Sequence, residues 1–123
     1  MKFSEQLLHY FHHRLHAGAL DSAIPSVRSV QVGRPENREV LLLMIDYRDR
    51  IQTARFKAAG SVALIAGAEF ICGWLEQKSW PDLQSITPEF ILKSLGLTPL
   101  HTHIANLIVL AVQQLPMARN GTN

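Results

Sequence analysis

The sequence has little of what disulfide-rich, secreted or membrane-spanning proteins need. It contains a single cysteine, Cys72, which excludes an internal disulfide and predicts a reducing, cytoplasmic location. No run approaches the roughly 18 apolar residues that span a bilayer, so no membrane segment is expected. The first residues include Glu5 and lack an apolar core followed by a small-residue cleavage site, so no signal peptide is expected either.

Charge of either sign is also scarce. Twelve Lys and Arg against ten Asp and Glu leave a formal net charge of +2, and these residues are spread along the chain. We therefore expect no nucleic-acid partner. Phosphate loops, paired-cysteine motifs and dinucleotide fingerprints are absent as well, so the common enzyme signatures are missing.

What the sequence does have is apolar material. Apolar residues make up 47% of the 123 positions, enough for one domain with a sizeable core. We predict a single domain over residues 1–115 and a flexible tail over residues 116–123.

The hydrophobic patterns predict an α+β fold, with a leading helix over residues 4–16 and then a three-stranded antiparallel sheet. The strands are expected over residues 27–32, 40–45 and 51–57. Because residues 40–45 are apolar throughout, they should form a central strand covered on both faces. After Gly60 the pattern changes to a helical period. We expect these helices to pack on one sheet face. Two of them cover residues 61–77 and 100–115, and two shorter ones begin at Trp80 and after Thr87.

A serine stands where the third predicted strand meets the long helix. A helix start offers free N–H groups and a partial positive charge, and a cysteine there would be held as thiolate. Ser61 could act as a nucleophile with His103 as its base, but an N-cap is the simpler interpretation. We favour the cap and expect no enzymatic activity.

The motifs and their order resemble the U-type iron–sulfur cluster scaffold family, IscU and the amino-terminal domain of NifU. The resemblance extends over about residues 3–115 and implies the same α+β fold. Its strongest segment is the run that precedes Ser61. The matching residues are Phe3, Ser4, Glu5, Val32, Gly33, Arg34, Pro35, Ala54, Arg55, Phe56, Lys57, Ala58, Ala59, Gly60, Trp74, Lys78, Ser79, Leu95, Leu97, Pro99 and His103.

The resemblance also implies where cluster ligands would stand. The family uses three cysteines, assisted by an aspartate and a histidine. The cysteine positions hold Asn37, Ser61 and Ile104 here, Glu39 replaces the aspartate, and His103 is kept. Iron–sulfur clusters need soft thiolates, and sulfur transfer as persulfide needs an acceptor thiol. We therefore expect no iron–sulfur cluster. Cys72 lies about three helical turns beyond Ser61 and is no substitute.

Two other sets of residues allow a metal-binding interpretation. Glu39 and His103, with Ser61 and His101, would form an oxygen–nitrogen site for zinc or ferrous iron. The alternative is a histidine hydrogen-bonded to a carboxylate. A second set has helical spacing and would share one helix face: His9, His12, His13 and His16. The alternative there is a polar face opposite the apolar stripe.

These observations favour a non-catalytic relative of the scaffolds, an adaptor or regulator that binds cluster-assembly proteins such as a cysteine desulfurase. The alternatives are a metal-binding protein that uses histidine and carboxylate ligands, and an interaction or pocket protein recruited to another pathway. Residues 62–68 and 104–112 are apolar on most sides of their helices. Either the domain buries them, or they leave an apolar patch for a homo-oligomer or another partner.

Overall fold

A three-stranded antiparallel sheet and four α-helices make up the part of the protein that the structure, a computed structural model, describes: residues 3–118. The elements follow the predicted order, and the α+β fold is confirmed. Their bounds are α1 Glu5–His12, β1 Val27–Arg34, β2 Glu39–Arg48, β3 Arg50–Ala59, α2 Val62–Leu75, α3 Pro88–Leu95 and α4 Thr102–Gln114. Short 3-10 turns occupy Pro35–Asn37, Trp80–Ser85, Pro99–His101 and Leu115–Met117.

The sheet has the strand order β1-β2-β3, so β2 is central as predicted. Strand alternation places Leu41, Leu43 and Ile45 on the face that joins the helical core, and all three are fully buried. The other face is only partly covered. Leu42 is half-buried there and pairs with Gln31 and Lys57, which are both exposed. The expectation of a strand covered on both faces was wrong in this respect, because an antiparallel sheet can leave one face to solvent.

Local capping signals set most helix ends. Ser4 caps α1, since its Oγ accepts from the Leu7 amide at 3.0 Å, and it donates to the Leu95 carbonyl of α3 at 2.7 Å. Thr87 caps α3 in the same way, and Gly96 ends that helix with φ of 64°. These ends agree with the sequence-based predictions.

The end of α1 differs from its prediction. The helix stops at His12 instead of His16, because His13 leaves the helical region with φ of −116° and ψ of 75°. The chain then reaches the outer edge of β3. There the His16 carbonyl accepts from the Phe56 amide at 3.0 Å, and the Gly18 amide donates to the Phe56 carbonyl at 2.9 Å. Pairing with a strand replaces the last predicted turn of the helix.

The two apolar helices are buried mainly within the domain. Nine residues of α2 and six of α4 are buried. The helices approach closely at Gly67, where a Cβ would come within 2.5 Å of the Ile108 side chain. Leu110 of α4 remains 45% exposed. The core therefore accounts for most of this apolar surface, and a homo-oligomer stays a prediction.

The carboxyl-terminal boundary lies later than predicted. Leu115–Met117 form a 3-10 turn, and the Ala118 carbonyl accepts from Arg28 of β1 at 2.6 Å, so residues 116–118 belong to the fold. The rest of the predicted tail, residues 119–123, lies outside the described residues. None of the helices in residues 3–118 combines the length and the apolar composition of a membrane-spanning helix.

Gly33 offers a test of the β1–β2 connection. Its φ is 93°, and a Cβ there would clash with the backbone carbonyl of Glu39. We expect Gly33→Ala to lower the free energy of unfolding by roughly 2–4 kcal/mol, measured by urea denaturation. Gly73→Ala is the matched control, because that helical position has room for a methyl group, and it should gain up to about 1 kcal/mol. Equal stability of Gly33→Ala and the wild type would contradict this geometry.

Candidate functional site

One end of the sheet gathers the turns that hold most of the predicted site residues. The strand register pairs Arg34 with Glu39 and Val40 with Ala59, so the β1–β2 turn lies beside the end of β3. The turn closes through Arg38, which takes the left-handed conformation with φ of 58°. Antiparallel pairing therefore brings the start of β2 to the place where β3 leads into α2.

Two cavities open at this end of the sheet. The larger, about 700 Å³, is lined by Asn37, Glu39 and Ser61 among others. The smaller, about 390 Å³, is lined by Asn37, Glu39 and His103 together with Leu107 and Leu110. Because Asn37 and Glu39 line both cavities, four of the predicted site residues lie around one locus.

Ser61 is the N-cap of α2. Its Oγ accepts from the Leu64 amide at 3.2 Å, and its backbone is extended, with φ of −69° and ψ of 163°. The predicted cap is confirmed. A cap satisfies one of the N–H groups that a helix start leaves without partners, so this hydroxyl already has a structural role.

His103 faces Glu39 from α4. The distance from its Nε2 to Glu39 Oε1 is 3.8 Å, too long for a hydrogen bond, and the His103 side chain is 63% exposed. An ion pair this exposed contributes little to stability. Among residues 3–118, no group of three or more His, Cys, Asp or Glu could hold a metal ion. The structure therefore brings two of the predicted donors, Glu39 and His103, near each other. Binding of zinc or iron there stays a prediction.

The other two residues predicted near the site lie elsewhere. Ile104 is 1% exposed and belongs to the hydrophobic core, because consecutive helical residues point about 100° apart and His103 takes the outward direction. His101 lies in the Pro99–His101 turn, with its ring 5.9 Å from that of Phe3. Within residues 3–118 its buried Nδ1 has no hydrogen-bond partner. Neither residue lines the two cavities.

The four histidines of the amino-terminal segment do not form the predicted set. His9 and His13 stack with ring centroids 4.5 Å apart, and exposed His12 contacts the Phe11 ring. His16 has left the helix. The prediction that all four histidines share one ligating helix face was wrong, because α1 ends at His12 and His16 lies four residues beyond that end.

His16 contacts two carboxylates instead. Its Nδ1 lies 2.5 Å from Glu69 Oε2, and its Nε2 lies 3.1 Å from Glu76 Oε1, both on or next to α2. Burial disfavours the charged ring, but the hydrogen bonds to Glu69 and Glu76, together with the negative charges of both carboxylates, raise the pKa of His16. Sequence reasoning missed these acids, although a glutamate at position 69 of an apolar helix signalled a buried partner.

Cys72 lies fully buried on α2. Burial raises the pKa of its thiol well above the ordinary value, and the nearby charges of Glu69 and Glu76 raise it further. A buried thiol in this state is inert toward metals and electrophiles. The prediction that Cys72 does not substitute for a ligand at the helix start agrees with this placement.

The leading helix, the meander sheet and a polar locus at the start of α2 define an α+β domain of the U-type scaffold class. Residues 2–118 match the model of the family described as NifU-like N terminal domain. The chain belongs to this family, so the resemblance found in the sequence is confirmed.

Curated relatives and solved structures agree. Iron sulfur cluster assembly protein 1 of Encephalitozoon cuniculi is 29% identical over 108 residues, which cover 86% of this chain and 77% of that protein. The mitochondrial protein of the same name from Candida glabrata is 29% identical over 102 residues, or 80% of this chain and 47% of that protein. FiSufU of Fervidobacterium islandicum AW-1, described as a SUF-system cluster assembly scaffold, superposes with a TM-score of 0.72 at 11% identity. That match covers 91% of this chain and 94% of FiSufU.

Ser61 provides a test of this locus. We expect Ser61→Ala to lower the free energy of unfolding by about 1 kcal/mol, because the Leu64 amide loses its partner. Ser61→Asp, which retains a capping oxygen, should stay within a few tenths of a kcal/mol of the wild type in the same urea titration. An alanine variant as stable as the wild type would show that the cap contributes nothing.

Proposed function

We propose that this protein is a non-catalytic member of its scaffold family, an adaptor or regulator that binds cluster-assembly proteins without holding a cluster. One observation supports this: the positions that the resemblance assigns to ligand cysteines hold Asn37, Ser61 and Ile104. Two of the three residues already have structural roles. Ser61 caps a helix, and Ile104 is a core residue.

The ligand chemistry supports the proposal. An amide and a protonated hydroxyl are poor partners for iron in a sulfide cluster, and an isoleucine has no donor atom. The thiol of Cys72 is buried on α2, and burial keeps it protonated. The locus therefore keeps the carboxylate and the imidazole of the scaffold pattern, Glu39 and His103, but has no thiolate.

The surface around the locus is suited to protein binding. Leu107 and Leu110 line the smaller cavity, and Leu110 is 45% exposed beside it. An apolar surface bordered by polar residues, as Leu107 and Leu110 are by Glu39 and His103, is typical of a protein-binding site. The partner we expect is a cysteine desulfurase or another protein of the assembly pathway, since the curated relatives are named as assembly proteins.

The absence of a cluster can be tested directly. Incubated anaerobically with ferrous iron and sulfide and then desalted, the protein should show no stable charge-transfer absorption in the visible range. A cysteine-bearing scaffold of the same family, treated in parallel, is the positive control. A stoichiometric absorption that survives Cys72→Ser would contradict the proposal, because a cluster would then be held without any cysteine.

Partner binding can be tested with two exposed leucines. Leu110 lines the site, whereas Leu15, 80% exposed, lies in the connector after α1. We expect Leu110→Asp to weaken binding to the cysteine desulfurase of the same organism about tenfold or more, measured by calorimetry, because a charge would replace an apolar contact. Leu15→Asp should bind as the wild type does. Wild-type protein that binds no desulfurase would refute this partner, and equal loss in both variants would refute this surface.

A further inference from the structure

The outer edge of β3 is covered by groups from two segments, the turn after α2 and the connector after α1. The Ile51 amide donates to the Lys78 carbonyl at 2.8 Å, and the Ala54 amide donates to Glu76 Oε2 at 3.2 Å. Farther along, the Phe56 amide donates to the His16 carbonyl at 3.0 Å. An uncovered edge strand presents free backbone donors and acceptors to other chains. These hydrogen bonds therefore protect the edge of β3 from pairing with another chain. Two of its three groups, His16 and Glu76, contact each other.

His16 connects this cover to α2. Its ring nitrogens lie 2.5 Å from Glu69 Oε2 and 3.1 Å from Glu76 Oε1, and its backbone amide donates to Glu69 Oε1 at 2.9 Å. Ionised carboxylates only accept hydrogen bonds, so both ring contacts are hydrogen bonds when both ring nitrogens carry protons. The geometry therefore suits the imidazolium form.

Glu69 depends on that imidazolium. It is 4% exposed and is the one charged side chain that is buried in residues 3–118. Its hydrogen bonds in the structure come from the ring and the backbone amide of His16. A buried carboxylate that loses the positive charge of its partner is strongly unfavourable. A neutral His16 ring could donate to only one of the two carboxylates.

We propose that His16 is a proton-controlled latch: as imidazolium it holds the connector after α1 against the edge of β3, and on losing its proton it lets the connector open. The open form would expose the backbone N–H and C=O of Phe56, which His16 and Gly18 now satisfy. This latch does not depend on the proposed function, since none of its residues lines the two cavities.

The surrounding charges support the direction of this control. Glu69 and Glu76 face the ring from α2, and Arg55 of β3 lies 3.6 Å from Glu76 Oε2. The Cys72 thiol, on the same helix, is kept neutral by burial, which raises its pKa. The pKa of His16 is raised in the folded state, so its contribution to stability is complete below the ordinary histidine pKa. That contribution is lost as pH rises through the raised value.

Amide hydrogen exchange by NMR on the full-length protein tests the latch. Protection factors, which correct for the intrinsic effect of pH, should fall about tenfold or more for the Phe56 and Gly18 amides between about pH 6 and about pH 9. The fall should follow the titration of the His16 ring, observed on its carbon resonances. Constant protection over this range, or a fall unrelated to that titration, would overturn the proposal.

Variants separate the latch from general destabilisation. His16→Gln should show low Phe56 protection at every pH, whereas His12→Gln, which changes a nearby exposed histidine, should behave as the wild type. If His16→Gln does not fold, the double variant His16→Gln with Glu69→Gln removes the unpaired carboxylate. Its Phe56 protection should then be independent of pH. A pH dependence that persists in the double variant would overturn the proposal.

Discussion

The central position of α2 is the constraint on which the rest of the structure depends. This helix packs against α1, α4 and the sheet, and nine of its residues are buried. Close approach to α4 requires a residue without a side chain at Gly67. Because the body of α2 is held on several sides, its first turn has a fixed place at the end of the sheet. The polar locus around Ser61 and Glu39 is a consequence of that placement.

The same constraint explains the one buried carboxylate in residues 3–118. Glu69 lies on a helix that has little contact with solvent, so its charge needs a partner inside the protein. The partner is His16, which arrives from the connector after α1 and also pairs with the edge of β3. A polar contact inside the apolar core thus determines where the connector lies and where α1 ends.

The start and the second half of α2 have different chemistry. At its start, Ser61 satisfies the backbone, and the surrounding cavities contain a carboxylate and an imidazole but no thiol. In its second half, Glu69 and the C-cap residue Glu76 each contact one ring nitrogen of His16. Family membership is shown by the match over residues 2–118, whereas function depends on which side chains occupy the shared fold. In this chain the residues that line the two cavities include a carboxylate and an imidazole, Glu39 and His103, and none of these lining residues is a cysteine.

Hydrophobic patterns in the sequence determined the order of elements. Local signals determined the caps at Ser4, Ser61 and Thr87 and the stop at Gly96, because each of these depends on residues within one turn. The site positions came from the resemblance, and the structure shows that Asn37, Glu39, Ser61 and His103 share one locus. Only the tertiary structure decided that Ile104 faces the core, that α1 ends at His12, and that His16 meets a glutamate 53 residues away. The physical reason is that capping is a short-range interaction, whereas the partner of a buried charge depends on segments brought together by the whole fold.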